Sequence, residues 1–174
     1  MRILLILSLI FLTACNNHKE EKNFKAETNE LTTYYFIRHA EKDTLDKENK
    51  DPELTDKGIA RAENWAKIFK EVDFDLIYSS DYKRTRHTAK PIASEKGKEI
   101  SFFNTQKLND KEFQEKTRGK KVLVVGHSNL NPEFANYILQ EEKYEELDES
   151  VYGSLFIVHI LPDGSRTSEV LYID

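Results

Sequence analysis

The sequence predicts an α/β fold, a three-layer sandwich in which helices cover both faces of a mostly parallel central sheet. Short apolar runs alternate along the chain with stretches of helical periodicity, which is typical of this class. The run at residues 122–125 is apolar at every position, as expected of a strand that is buried on both faces. A length of 174 residues with 39% hydrophobic residues suits one domain with one core.

The N-terminal residues resemble an export signal. Arg2 precedes an apolar run over residues 3–12, which is too short to span a bilayer, and small residues follow that run. The sequence LTAC, which ends at Cys15, is similar to the lipobox of bacterial lipoproteins. We therefore expect a signal peptide at residues 1–14 and a lipidated Cys15 with a flexible polar tether at residues 15–31. An ordinary signal peptide with a chance cysteine is the alternative.

The cysteine count and the charge restrict the partners of the protein. Cys15 is the only cysteine, so the chain cannot form an intramolecular disulfide. The formal net charge of −5 argues against nucleic acid as a partner. We expect a monomer that is attached to the membrane by its lipid, in the cell envelope, on the periplasmic or the surface side.

The folded domain is expected at residues 32–174, and apolar runs mark its strands. The predicted parallel strands are residues 33–37, 76–78 and 122–125. Residues 154–161 and 168–173, separated by the turn PDGS, predict a closing β-hairpin.

Helical periodicity predicts three helices between these strands. The first is expected from Thr55 to about Lys70, and the second from Asp81 to about Lys96, with a kink at Pro91. The third is predicted with Asn131 as N-cap and Pro132 at its first position, running to about Leu139. Three basic helix residues are expected on exposed surfaces: Arg61, Arg86 and His87.

Basic side chains follow the predicted strands, at the point where each strand ends. Arg38 and His39 come directly after the first strand, and His127 follows the strand at residues 122–125. Arg84 lies near the start of the second helix, after the strand at residues 76–78. Because ligands of open parallel sheets bind beyond the carboxyl ends of the strands, we expect these groups to converge. The sequence therefore predicts an anion site there, with phosphate as its natural ligand.

These positions resemble the signatures of the histidine phosphatase superfamily, which has the phosphoglycerate mutase-like fold. Residues 38–40, RHA, are similar to the family's R-H-G, and residues 80–89, SDYKRTRHTA, to its S-x-x-x-R-A-x-x-T-A. Gly-His at residues 126–127 is similar to the strand that ends in G-H, and LTDKG at residues 54–58 to L-T-x-x-G. The order of the signatures agrees over residues 34–172.

The chain departs from the family pattern in two places. Ala40 replaces the usual glycine, so we do not expect its backbone to need a positive φ. The mutases of the family continue with E-S-x-x-N after the first signature, whereas EKDT follows here, so mutase activity is not expected. The length is closest to that of the short single-domain phosphohistidine phosphatases.

The resemblance implies a phosphomonoesterase that needs neither a metal nor another cofactor. His39 would be the nucleophile and would form a phosphohistidine, which water then hydrolyses. Arg38 and Arg84 would clamp the phosphate oxygens, and His127 would donate to the charge that develops in the transition state. The expected substrate-binding residues are Arg38, Arg84, His127, Ser128 and Asn129.

The general acid has three candidates. Asp110 is the first choice, because Leu108-x-Asp110 is similar to the L-x-E stretch of the mutase-like branches. Glu41 and Glu112 are the alternatives, and Asp110 is equally compatible with a role as the cap of a helix at residues 111–117. The connection at residues 102–119 is the candidate lid.

Together these observations predict an exported phosphatase whose substrate is a phosphorylated small molecule or an envelope component. A lipoprotein that binds a phosphorylated ligand without catalysis, on the same fold, is the alternative. A zinc site of His39 and His127 with Glu41 or Asp110 lacks the usual ligand spacing and accounts for neither arginine.

Overall fold

A mixed sheet of six strands forms the centre of the protein, in a computed structural model that describes residues 30–105 and 111–173. The strands are β1 (Thr32–Arg38), β2 (Leu76–Ser80), β3 (Ile100–Phe103), β4 (Lys121–Gly126), β5 (Ser154–Ile160) and β6 (Arg166–Tyr172). The strand order is β3-β2-β4-β1-β5-β6, in which the first four strands are parallel and the closing pair is antiparallel. The predicted α/β architecture with a mostly parallel sheet is confirmed, including the three predicted parallel strands and the closing hairpin.

Four helices connect the strands of the described part of the chain. They are α1 (Asp56–Ile68), α2 (Lys83–Lys96), α3 (Lys111–Thr117) and α4 (Leu130–Leu139). Helix α2 continues through Pro91. Within residues 30–105 and 111–173, none of the helices has the length and apolarity that crossing a bilayer requires. The predicted signal peptide, Cys15 and Asp110 lie outside the described residues.

Side chains of β1 and β4 alternate between two hydrophobic clusters on opposite faces of the sheet. The cluster against α1 and α2 contains Ile37, Leu123, Val125, Trp65, Ala66, Ala89 and Ile92. The cluster against α4 contains Tyr34, Phe36, Val122, Val124, Phe134, Ala135 and Ile138. Residues 122–125 are completely buried, which confirms the strand that was predicted to be covered on both faces.

The LTDKG sequence at residues 54–58 contains the start of helix α1. The Thr55 side chain caps the helix, because its Oγ1 accepts a hydrogen bond from the backbone N–H of Gly58 at 3.1 Å. A Cβ on Gly58 would lie 2.2 Å from the carbonyl oxygen of Glu41. Glycine therefore lets the first turn of α1 pack directly on the segment that follows β1.

The predicted start of α4 is wrong by two residues. Asn129 is the N-cap, and Asn131 lies inside the first turn, where it is 1% exposed. The Asn131 Oδ1 lies 2.3 Å from the position that a Cβ on Gly126 would take, so the glycine makes room for this side chain. Pro132 still lies in the first turn, where its missing N–H costs no hydrogen bond.

The predicted lid contains two regular elements. The sequence analysis missed the strand and considered the helix only as the element that Asp110 would cap. Phe102 and Phe103 belong to β3, which pairs with β2 at the edge of the sheet. Helix α3 packs on the same face as α4, because the ring of Phe113 stacks on Tyr34 and contacts Phe134. Much of the connection is thus part of the sandwich.

Candidate active site

The carboxyl ends of β1, β4 and β2 lie side by side in the middle of the sheet. The backbone N–H of His39 donates a 2.9 Å hydrogen bond to the carbonyl of Gly126, and this bond joins the ends of β1 and β4. The ring centroids of His39 and His127 are 5.4 Å apart. The structure therefore brings the two predicted histidines together at the predicted edge of the sheet.

The environment of His39 fixes its tautomer and its charge. Its Nδ1 lies 2.8 Å from the carbonyl oxygen of Ala40. Because a carbonyl only accepts hydrogen bonds, Nδ1 carries the proton and Nε2 keeps a lone pair. The pKa of His39 is lowered to about 3, chiefly by burial; His127, Arg38 and Arg84 act in the same direction and the hydrogen bond to Ala40 opposes them. His39 is therefore neutral near pH 7.

The backbone after His39 is held by the second signature. The N–H of Ala40 donates a 2.9 Å hydrogen bond to Oγ1 of Thr88, and Thr88 in turn donates to the carbonyl of Arg84. Gln140 is the only residue other than glycine with a positive φ among residues 30–105 and 111–173. The prediction that Ala40 needs no positive φ is confirmed.

His127 is positioned by the end of β2, which is itself bonded to the start of α2. Its Nε2 and the Oγ of Ser80 share a 2.9 Å hydrogen bond, and Ser80 Oγ also donates to Thr85 Oγ1 at 3.1 Å. Burial lowers the pKa of His127 to about 4, and Arg84 and Arg38 act in the same direction. Both histidines of the site are thus neutral and held by hydrogen bonds.

Arg84 lies in the first turn of α2 and faces the same site. Its guanidinium Cζ lies 4.4 Å from the ring centroid of Tyr82, and the Tyr82 ring contacts His127 edge-on at 5.3 Å. Its Nη1 lies 3.8 Å from Oδ1 of Asp51, which is too long for a hydrogen bond. The Nε of Arg84 is buried and has no hydrogen-bond partner among the described residues.

Arg38 is held by a segment that the sequence analysis did not assign to the site. Its Nη1 donates to the carbonyls of Asp148, Glu149 and Val151 at 3.2, 3.0 and 3.0 Å. Its guanidinium also lies over the ring of Tyr152, 4.3 Å from the centroid. Its Nε, like that of Arg84, is buried without a partner among the described residues.

Glu149 belongs to the same segment and is a residue of the site that sequence reasoning missed. One carboxylate oxygen accepts a 2.8 Å hydrogen bond from Arg38 Nη2, and the other accepts a 2.7 Å bond from Ser128 Oγ. Residues 141–149 are mostly acidic and exposed, and this composition gives no signal of a site. Of the two predicted substrate-binding residues after His127, Ser128 is buried at the site and Asn129 is exposed.

Glu41, an alternative general acid, is bound to cations beside the site. It accepts hydrogen bonds of 3.0 to 3.1 Å from Arg61 Nε and Nη2, and Lys57 lies 3.2 Å away. Burial alone would raise the pKa of Glu41, but the bonds from Arg61 and Lys57 outweigh it and hold the pKa below its ordinary value. An ionised, paired carboxylate does not suit a proton donor. Because Glu41 is paired with Arg61, it is not free to act as a ligand of the alternative zinc site.

Other predicted positions divide between confirmed and wrong. Arg61 was expected to be solvated, but its side chain is only 16% exposed because it binds Glu41 and the carbonyl of Ile173. His87 is exposed and pairs with Glu53, as predicted for a surface residue. Glu112 lies in the first turn of α3, where it forms an exposed pair with Lys116.

The family resemblance has independent support from a family model. Residues 34–110 match the model of the histidine phosphatase superfamily, branch 1, which supports the predicted resemblance over this part of the chain. The matched range contains Arg38, His39 and Arg84, and His127 follows it in the chain. No curated protein matches the sequence significantly.

Solved structures of low sequence identity share the fold. An alpha-ribazole phosphatase from Shigella flexneri is 16% identical with a TM-score of 0.67, over 81% of this chain and 96% of that one. A phosphoserine phosphatase from Entamoeba histolytica, in complex with 3-phosphoglyceric acid, is 19% identical with a TM-score of 0.61, over 82% and 98%. A phosphoglycerate mutase from Plasmodium falciparum is 19% identical with a TM-score of 0.57, over 81% and 90%. These similarities confirm the phosphoglycerate mutase-like fold.

Proposed function

We propose that this protein is a phosphatase that hydrolyses phosphomonoesters through a phosphohistidine on His39. One observation carries the proposal: the hydrogen bond from Nδ1 to Ala40 leaves a lone pair on Nε2 of a neutral imidazole, beside His127 and two arginines. Two of the similar structures described above are named an alpha-ribazole phosphatase and a phosphoserine phosphatase. This supports a small phosphorylated molecule as the substrate.

In the first step, Nε2 of His39 attacks phosphorus while the bond to the leaving oxygen breaks. The attack needs no prior deprotonation, because burial keeps the pKa of His39 near 3. The leaving oxygen takes a proton from the general acid, for which Asp110 remains our prediction. The product of this step is an alcohol and a phosphohistidine.

The arginines supply the binding energy for the phosphate in this proposal. The two buried Nε–H groups of Arg38 and Arg84 need acceptors, and phosphate oxygens are suitable acceptors. A bound dianion also favours protonation of His127, whose pKa is held low chiefly by burial. Protonated His127 then donates to the charge that develops on the transferring group.

The N-terminus of α4 adds to this electrostatic attraction. The helix begins at Leu130, shortly after His127 and Ser128. The partial positive charge of a helix N-terminus favours an anion at this edge of the sheet.

In the second step, water attacks the phosphohistidine and the group that donated the first proton accepts one from the water. The bond between phosphorus and Nε2 breaks, inorganic phosphate leaves, and His39 regains its lone pair.

We further propose that the enzyme is exported and attached to the cell envelope through a lipid on Cys15. The sequence LTAC behind an apolar run supports this location. An enzyme in that place meets phosphorylated small molecules and envelope components as substrates.

A substrate panel tests the proposed function. Phosphorylated sugars, nucleotides and phosphopeptides are assayed for released phosphate in the presence of excess EDTA, with the wild type and with His39→Ala. We expect at least one substrate to be hydrolysed by the wild type and none by folded His39→Ala. Equal hydrolysis by the variant contradicts the proposal, and binding of phosphate compounds without hydrolysis favours the non-catalytic alternative.

A further inference from the structure

The Glu149 carboxylate contacts groups that the proposed function assigns to the substrate phosphate. Its two oxygens lie 2.8 Å from Arg38 Nη2 and 2.7 Å from Ser128 Oγ. These are charge-assisted distances, and each oxygen has a different partner. A phosphate that bound Arg38 and Ser128 would meet this carboxylate first.

The same carboxylate lies within the field of the whole cationic cluster. The Glu149 charge favours the protonated forms of Arg84 and His127 and so acts to raise the pKa of each. Conversely, the Ser128 hydrogen bond holds the pKa of Glu149 below its ordinary value, against a rise from burial, and Arg38 and Lys42 act with the hydrogen bond. An ionised carboxylate therefore sits among the cations that would receive a phosphate.

The side chain can leave this position without disturbing the segment that carries it. Its side chain is 69% exposed, whereas that of Arg38 is 1% exposed. Three backbone carbonyls of the segment hold Arg38 Nη1 independently of the Glu149 carboxylate. A rotation of the Glu149 side chain into water therefore frees Arg38 Nη2 and Ser128 while the backbone stays in place.

We propose that the Glu149 carboxylate is an internal competitor for the phosphate position, which a substrate phosphate must displace in order to bind Arg38 and Ser128. The inference rests on the proposed function and adds a residue that sets affinity and selectivity. Exchange of a single negative charge for a dianion strengthens the interaction with the arginines, whereas exchange for a singly charged phosphodiester does not. Glu149 thus favours monoesters and promotes release of the product phosphate.

Titration calorimetry with inorganic phosphate tests this inference without turnover. Glu149→Gln keeps the size of the side chain and removes its charge. We expect Glu149→Gln to bind phosphate about tenfold more tightly than the wild type, because a charged competitor is gone. Glu146→Gln removes an exposed charge from the same segment and should bind phosphate like the wild type. Glu149→Ser serves as a second variant, and circular dichroism checks that all four proteins are folded.

Each result decides between the two proposals. Equal or weaker phosphate binding by both Glu149 variants, in proteins that still hydrolyse a phosphomonoester, overturns the competitor and leaves the proposed function intact. Tighter binding by Glu146→Gln as well would mean that net charge, and not the contact with Arg38, sets the affinity, which also overturns it. Failure of all four proteins to bind phosphate or to hydrolyse a monoester overturns both proposals.

Discussion

Replacing His39 should make the fold less sensitive to acid. The imidazole is 2% exposed and its pKa is lowered from 6.5 to about 3 by burial and by nearby cations. The unfolded chain therefore binds a proton on this residue at a higher pH than the folded chain does. Stability that is present above pH 6.5 is lost as the pH falls from 6.5 towards 3. His39→Asn removes this titration and keeps a side-chain N–H for the carbonyl of Ala40.

The magnitude follows from the size of the shift. A pH of 5 lies about 1.5 units below the pKa of the imidazole in the unfolded chain, and each unit corresponds to about 1.4 kcal/mol. The folded imidazole is still neutral at that pH, since its pKa is about 3. His39 should therefore remove about 2 kcal/mol of the free energy of unfolding between pH 7 and pH 5. His127 acts in the same direction, and it is present in the wild type and in His39→Asn.

Urea unfolding followed by circular dichroism measures the effect. Wild type, His39→Asn and His87→Asn are unfolded at pH 7 and at pH 5, in buffers without phosphate or sulfate. The loss of unfolding free energy on acidification should be about 2 kcal/mol smaller for His39→Asn than for the wild type. His87 is exposed and lies on the surface, so His87→Asn is the control for replacing a histidine outside the site. Equal losses for all three proteins would refute the argument that His39 is buried and neutral.

Three further predictions concern the glycine before His127, the leaving group and the anchor. Gly126→Ala would place a Cβ 2.3 Å from Asn131 Oδ1, so it should lower the free energy of unfolding in urea by about 1–3 kcal/mol. Adding Asn131→Ala should restore part of the loss, and an unchanged free energy of unfolding in Gly126→Ala refutes the packing argument. Asp110→Asn should slow hydrolysis of alkyl phosphates about 10²-fold or more but that of p-nitrophenyl phosphate much less, whereas Arg84→Ala should lower kcat/KM comparably for both. Equal losses for Asp110→Asn would mean that Asp110 is not the acid. Cys15→Ser should abolish lipidation and move the protein from the membrane fraction to the soluble fraction, and unchanged lipidation in the variant contradicts the lipobox.

The residues at the strand ends could be predicted because the sheet topology alone brings them together. Arg38, His39 and His127 each follow an apolar run, and parallel neighbours end at the same edge. The Asn131 cap was wrong because the close approach of its side chain to Gly126 depends on a tight turn, which composition does not reveal.

Glu149 could not be predicted, because the conformation of its loop brings it to Arg38 and the sequence pattern does not show that conformation. Glu149 and Arg38 are 111 positions apart in the sequence. The composition of the Glu149 segment is that of an ordinary acidic surface. Strand β3 was missed for a related reason. It is a short edge strand whose burial does not alternate, so it lacks the period of two that marks a half-buried strand.

Trapping the covalent intermediate tests the central claim most directly. The protein is mixed with a phosphomonoester in excess EDTA and quenched in alkali, which preserves phosphohistidine, and its peptides are then analysed by mass spectrometry. We expect an acid-labile phosphate on the peptide that contains His39 in the wild type, and none in folded His39→Ala. Rapid hydrolysis by the wild type with no phosphate on His39 at any quench time, or labelling that persists in His39→Ala, would contradict a mechanism through phosphohistidine at this residue.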